Sequence, residues 1–396
     1  MPYDIRRRPV ALLTLLGALT AIGPLSADTY LPALPVITDD LSAAPARVQL
    51  SLTTCLIGVA LGQLVSGPLS DRWGRRGPVL AGTAGYVLIT LACAAAPTAE
   101  VLAGLRLVQG VAGGVGVVVG RTVVRDLYSG AEAARFFSRL LIIFGVAPIA
   151  APVLGAVVLR ITSWRGIFVA LAVIATLLIA ALARWLPETL PVERRNPDGL
   201  AGTARAARSL VTDRAYLGYA LTQGLAFAGL FAYLGGSSYV LQDGFGLSPT
   251  TYSMVFGANA LGMIVLGQLN ARLVRSRAPR TLFVGALVAG LVAAGLLVAG
   301  AATGELWLVL VPLAGYVSTL GMLMPNGTAL ALEDHARHAG TAAALLGAIQ
   351  SGIGSLAAPL VGLAGTTSAV PMALVIVAAA TLSLTAVLTL ARRRPG

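Results

Sequence analysis

Apolar residues run through this chain in long blocks of about twenty, and short polar clusters separate the blocks. Cutting the chain at those clusters predicts helices over 9–36, 47–70, 77–96, 99–124, 136–159, 165–186, 214–236, 249–271, 279–300, 305–325, 338–362 and 370–391. A segment that crosses hydrocarbon must pair every backbone group within itself, which takes about 20 mostly apolar residues when the segment is a helix. The expectation is an all-α membrane protein with twelve transmembrane helices in two six-helix bundles. The longest polar stretch, Pro187 to Asp213, carries Glu188, Glu193, Arg194, Arg195, Asp198, Arg205 and Arg208. It divides the chain into an N-terminal bundle (1–186), a cytoplasmic linker (187–213) and a C-terminal bundle (214–396).

Charge adds an orientation. All 28 basic residues are arginine, and they punctuate the apolar blocks instead of forming one water-facing surface, so the net charge of +12 does not indicate a nucleic-acid partner. With both termini cytoplasmic, nearly every arginine falls in or beside an inward-facing segment. The outside keeps only Arg47, Arg160 and Arg165, and Arg106 remains inside a helix. The positive-inside rule thus supports an even helix count. Arg6, Arg7 and Arg8 ahead of an apolar run look like the start of a signal peptide, but no small-residue cleavage site follows, and a retained first helix is expected. The charged fraction of 11% and mean hydropathy of +0.85 lie far outside the soluble range.

The halves carry a trace of repetition at one constant offset. Gly62-Gln63-Leu64 returns as Gly267-Gln268-Leu269, Arg72 and Arg75 as Arg277 and Arg280, and Gly110 as Gly315. Two related bundles are what a transporter rocking around a midplane site requires.

Few residues can carry chemistry. Of the sixteen carboxylates only Asp28 lies inside an apolar block, and Arg106 is the one arginine deep in a helix. Counting about 1.5 Å per residue from the outer helix ends puts both about 10–12 Å below the outer surface. Asp28 could instead mark the water interface if the first helix ends at Ala27, which Pro32 and Pro35 would permit. Tyr30, Gln109, Tyr233, Tyr239, Asn259 and Gln350 are candidates to line a mostly apolar cavity, although each alone could equally be a satisfied helix contact. Cys55 and Cys93 sit in apolar blocks and indicate neither disulfide nor zinc site. His335 and His338 read as solvated, so no metal site is expected; neither is a phosphate loop, a nucleophile with its base, or any cofactor.

Between the second and third helices stands Gly67-Pro-Leu-Ser-Asp71-Arg72-Trp-Gly74-Arg75-Arg76. A tight glycine turn there presents an acid at a helix end with arginines toward the cytoplasmic headgroups, an arrangement able to latch one conformation. The segment resembles the signature loop of the major facilitator superfamily. Arg106-Leu-Val-Gln109-Gly110 resembles that superfamily's second motif, in which the arginine takes part in proton coupling. Gly145-Val-Ala-Pro148 through Pro152-Val-Leu-Gly155 resembles its antiporter motif, with Ala151 where a glycine usual to that motif would stand. Ala27-Asp28-Thr-Tyr30-Leu-Pro32-Ala-Leu-Pro35 resembles a motif at that place in twelve-helix drug:proton antiporters, and Arg125-Asp126-Leu-Tyr128, Ser163-Trp164-Arg165, Leu186-Pro187-Glu188-Thr189-Leu190 and Pro325-Asn326 through His335, followed by Gly340-Thr-Ala, resemble the Bcr/CflA branch of that group. The resemblance implies export of small lipophilic drugs of the bicyclomycin, chloramphenicol or florfenicol kind, driven by protons, by a monomer in the lipid of a bacterial cytoplasmic membrane, with Asp28 and Arg106 as the coupling pair. The same fold moving an endogenous metabolite is the neighbouring alternative, and a membrane-embedded enzyme or a pore the remote one.

Overall fold

A computed structural model of the protein describes residues 9–128, 130–195, 208–335, 339–363, 365 and 368–391. Its helices follow the apolar blocks: α1 (Pro9–Asp28), α2 (Leu34–Asp40), α3 (Pro45–Trp73), α4 (Arg76–Ala94), α5 (Ala99–Leu127), α6 (Gly130–Ile161), α7 (Trp164–Trp185), α8 (Arg214–Tyr239), α9 (Pro249–Leu273), α10 (Pro279–Thr303), α11 (Leu306–Leu332), α12 (Ala339–Ser355), α13 (Ala357–Leu363) and α14 (Ala369–Thr389). Among the described residues, 11 spans are long and apolar enough to cross a membrane, and α6 adds the apolar stretch Val146–Ile161. Short loops start helices by capping: Thr98, Asp213, Ser248 and Ser368 each accept a hydrogen bond from the first turn that follows. Such a cap is worth about 1 kcal/mol.

Two expected helices are broken. The block 9–36 contains Pro32 and Pro35, which have no N–H to donate, so the chain leaves α1 at Asp28, passes through a 3₁₀ turn at Leu31–Ala33 and resumes as α2. The block 338–362 breaks after Ser355 because Pro359 cannot donate back to it. The Ser355 carbonyl accepts instead from Thr53 Oγ1 at 2.7 Å. α11 runs seven residues past its expected stop at 325, since neither Pro325 nor Gly327 after it breaks the helix.

The chain forms two compact units, one of Met1–Ala43 and Thr54–Ala201, the other of Ala44–Thr53 and Gly202–Gly396. In the first, leucines 12, 15, 16 and 19 of α1 pack with Val79, Val119, Val123, Leu178 and Leu182. In the second, α8 is buried along almost its whole length, with Tyr216, Tyr219 and Ala220 against Phe283, Leu320 and Leu346. Lipid offers no hydrophobic drive for helices to associate, so close approach depends on small residues. In the first unit α5 lies directly on α3: a Cβ on Gly110 would meet the Cys55 carbonyl, and one on Gly62 the Val111 carbonyl. The counterpart in the second unit is Gly321 against the Met263 carbonyl, with Gly267 beside it. Gly62 and Gly267 thus hold corresponding places. Gly315, paired with Gly110 by offset, instead faces Ala293 of α10, and Gly321 makes the contact with α9.

Gly110→Ala is expected to lower the thermal midpoint of the detergent-purified protein by the equivalent of about 1–3 kcal/mol, since its methyl meets backbone that cannot rotate away. Gly104→Ala, on the same helix with nothing within 4 Å, should leave it unchanged.

Candidate functional site

The break between α1 and α2 places Asp28 as the last residue of α1, within the apolar span Val10–Asp40 and 8% exposed. Its carboxylate has no hydrogen bond and no ion pair among the described residues. The next residue, Thr29, is fully buried, and its hydroxyl is also unpaired. Gly155 of α6 lies against the Thr29 carbonyl, where a Cβ would collide with it. This gives the antiporter-like motif a local meaning: its last glycine lets α6 sit directly on the broken backbone beside the acid. Gly145, Pro148 and Pro152 lie on the same helix.

Arg106 is fully buried and meets no carboxylate. Its Nη1 donates to Gln109 Oε1 at 2.6 Å and its Nη2 to the Ser26 carbonyl at 3.0 Å, while Nε has no partner. The guanidinium carbon stands 4.9 Å from the Tyr30 ring centre and 5.8 Å from that of Phe168. Aromatic faces and neutral oxygens therefore do the work an acid would do. Gln109 passes its own N–H to Thr90 Oγ1 at 2.7 Å, and Ser26 Oγ bonds Tyr86 OH at 2.5 Å. The Arg106 network therefore reaches α1 two residues before Asp28 and holds the same helix end, without an Asp28–Arg106 ion pair.

The candidate cavity residues mostly fill internal contacts. Tyr30 and Gln109 belong to the Arg106 network. Asn259 donates to Tyr233 OH at 3.0 Å, and Tyr233 stacks on Phe256. Tyr239 is buried at the end of α8, while Gln350 is half-buried and donates to Gln223 Oε1 at 3.0 Å. Gln223, fully buried on α8, was not singled out from the sequence; a lone glutamine in an apolar block was the available signal.

The signature loop is built as expected and acquires partners the sequence did not reveal. Arg75 bonds Asp71 at 2.6 Å, Asp126 at 2.9 Å and Ser70 Oγ at 2.8 Å. Asp126 also accepts from Thr189 Oγ1. Glu188 accepts from the backbone N–H groups of Arg75 at 2.8 Å, Arg76 at 3.2 Å and Leu190 at 3.0 Å. Gly74 holds φ at +92°, where a side chain would be strained and would also strike the Glu188 carboxylate. Gly67 has open space around it, and Arg72 makes no described contact in the clamp. Burial alone would raise the Glu188 pKa, but the three N–H donors and Arg195 outweigh it and hold the carboxyl below its ordinary range. All these partners lie in the first unit, so the loop is clamped to the ends of α3, α5 and α7. His335, expected to be solvated, instead lies 3.4 Å from Asp213 and packs edge-on against Tyr216. His338 lies outside the described residues. Among the described residues no group of acids, histidines and cysteines could hold a metal.

A family model described as Major Facilitator Superfamily matches residues 16–359. The chain belongs to the major facilitator superfamily. It is 39% identical over 98% of its length, and 97% of the relative's, to an uncharacterised MFS-type transporter of Bacillus subtilis. It is 30% identical to a bicyclomycin resistance protein homologue of Haemophilus influenzae over 90% of both chains, and 31% identical to multidrug resistance protein D of Escherichia coli over 88% of both. A solved bacterial homologue of the lysosomal transporter Spinster superposes with a TM-score of 0.76 over 99% of both chains at 16% identity, which speaks for the fold alone. The superfamily and the helices make this a multi-pass transporter of the bacterial inner membrane and not an enzyme.

Glu188→Gln should lower the thermal midpoint at pH 7. Because the folded pKa is depressed, the stability Glu188 contributes is complete above the unfolded value near pH 4.3 and disappears as pH falls through the lower folded value. The gap between wild type and Glu188→Gln in melting scans should therefore close as the buffer is taken below about pH 4, and a gap of constant size would contradict the clamp.

Proposed function

We propose that this chain is a proton-coupled antiporter that exports small lipophilic drugs, with Asp28 as the proton site and Arg106 as the fixed positive charge that reports its state. The relatives named for bicyclomycin and multidrug resistance support drugs as the class of substrate. The observation that carries the coupling is the bare carboxylate at the break in the first span. An ionised carboxylate buried without a partner is costly and must be hydrated or neutralised. Proton binding therefore stabilises the arrangement in which Asp28 is enclosed, and its loss favours one that opens it to water. A ligand shifts such an equilibrium only by its differential affinity for the two arrangements, and a proton on an enclosed acid has a large one.

Arg106 acts on the same helix end through the Ser26 carbonyl. A direct ion pair would hold Asp28 ionised; aromatic and amide partners leave it free to take a proton. The signature loop, with Gly67, Asp71, Arg72, Gly74, Arg75, Arg76 and Asp126, serves in this reading as the conformational latch on the cytoplasmic side, where both termini lie. The chain works as a monomer in the lipid bilayer, and its single enclosed acid implies one proton per cycle.

In proteoliposomes loaded with acid and a pH dye, chloramphenicol added outside should trigger proton release through the wild type and none through Asp28→Asn. Arg106→Lys, which keeps the charge but loses the planar contacts to Tyr30, Phe168 and Gln109, should cut the rate at least tenfold. Equal release by Asp28→Asn would remove Asp28 from the coupling.

A further inference from the structure

The second unit contains a polar cluster that the proton mechanism does not use. Gln223 lies in the span Arg214–Gly244, is fully buried and contains no titratable group. Its Oε1 accepts from Gln350 Nε2 at 3.0 Å and from Thr328 Oγ1 at 3.4 Å, while its Nε2 is buried with no partner at all. Gln350, half-buried on α12, spends only its N–H in this pair, which leaves its Oε1 to accept. Gly327 makes the room: a Cβ there would stand 2.7 Å from Gln223 Cδ and 2.6 Å from the Phe283 ring. An orphaned amide within a membrane span has no water to fall back on, so an enclosed glutamine with an unspent donor beside one with an unspent acceptor calls for a ligand carrying both.

We propose that Gln223, Gln350 and Thr328 form the polar subsite of the transported molecule, and that it takes a secondary carboxamide of an uncharged substrate. The unspent Gln223 N–H donates to the ligand carbonyl, and Gln350 Oε1 accepts the ligand N–H. The choice does not depend on which way the two side-chain amides are turned. If both are reversed, Gln223 offers the acceptor and Gln350 the donor, and a secondary carboxamide still satisfies both. The cluster contains no acid, so it gives a cationic drug nothing to pair with. Thr328 Oγ1 adds a second contact to Gln223 Oε1 at 3.4 Å and so helps to hold the Gln223 carboxamide. The inference rests on the export reading for the word transported, but the recognition stands by itself.

The test is equilibrium dialysis of the detergent-purified protein with radiolabelled chloramphenicol, an uncharged secondary amide, and with its N-methylated amide, which cannot donate. Wild type should bind the parent about tenfold more tightly, as expected of a site built to hydrogen-bond what the analogue lacks. Gln350→Met, which keeps the side-chain length and removes the acceptor of the ligand N–H, should bring that ratio to about one, whereas Gln223→Met, which removes the partner of the ligand carbonyl, should weaken both compounds alike, each variant eluting as folded protein; with both amides reversed the two outcomes exchange. Gln350 is half-buried, so its variant remains informative should Gln223→Met fail to fold. No binding of either compound, equal binding by the wild type, or a preference that survives in both folded variants overturns the subsite. If the preference and its loss are seen while chloramphenicol drives no proton movement in liposomes, the subsite stands and the export reading falls.

Discussion

A backbone group that crosses hydrocarbon has no water to turn to, and much of what is distinctive in this protein follows from where that demand is met by something other than the next helical turn. The chain leaves helical geometry inside a span between Asp28 and Leu34, and again between Ser355 and Ala357. The first is enclosed by protein, Thr29 to Pro35 all being buried; at the second, Ser355 and Ala357 are buried while Leu356 between them is exposed. At the first, Arg106 takes the Ser26 carbonyl and Gly155 brings α6 onto the Thr29 carbonyl. At the second, Thr53 takes the Ser355 carbonyl. A break in a span is permitted only with such cover, and the first break carries the only carboxylate within an apolar block.

Glycine provides that cover because it is the absence of a side chain that lets one backbone reach another. Gly110 and Gly62 bring α3 and α5 into direct contact, Gly321 does the same for α9 and α11, and Gly155 repeats the device at the break itself. The consequence is a pair of units with rigid internal seams. In such an arrangement a functional change has to be carried by whole helices and helix ends, since the seams have no slack to yield. The clamp around Arg75 works at the scale of helix ends: it joins α3, α5 and α7 through Asp71, Asp126 and Glu188 in one hydrogen-bonded knot.

The helices were legible in the sequence because apolar length is a property of single segments, and the signature loop was legible because its glycines, acid and arginines sit within ten residues. Less legible was everything that depends on which distant segment comes close. Glu188 stands more than a hundred residues from Arg75 and looked like a family mark only. His335 read as solvated because Asp213 lies far away along the chain. The proline breaks were visible as prolines, yet 9–36 and 338–362 were taken as continuous, since Pro68, Pro148, Pro152, Pro312 and Pro325 show that a proline in a span need not end a helix. At the second break Thr53 engages the freed Ser355 carbonyl from a distant part of the chain, and a one-dimensional pattern does not contain that contact.

For the proposed antiporter, the separation of Asp28 from Arg106 also sets how coupling would work. Opposite charges in contact inside a membrane lock each other in the ionised state, because the low-dielectric surroundings make parting them expensive. Here the guanidinium is held by Gln109, Ser26, Tyr30 and Phe168, and none of these changes charge when a proton arrives. In the proposed cycle the positive charge therefore stays constant, and the acid alone switches. Because the Arg106 network grips α1 at Ser26, two residues before Asp28, a change in what Asp28 needs around it is felt at the end of a helix already tethered to α5. In the proposed mechanism the proton is sensed at a joint of the backbone, and the joint exists because Pro32 and Pro35 prevent that span from being one helix.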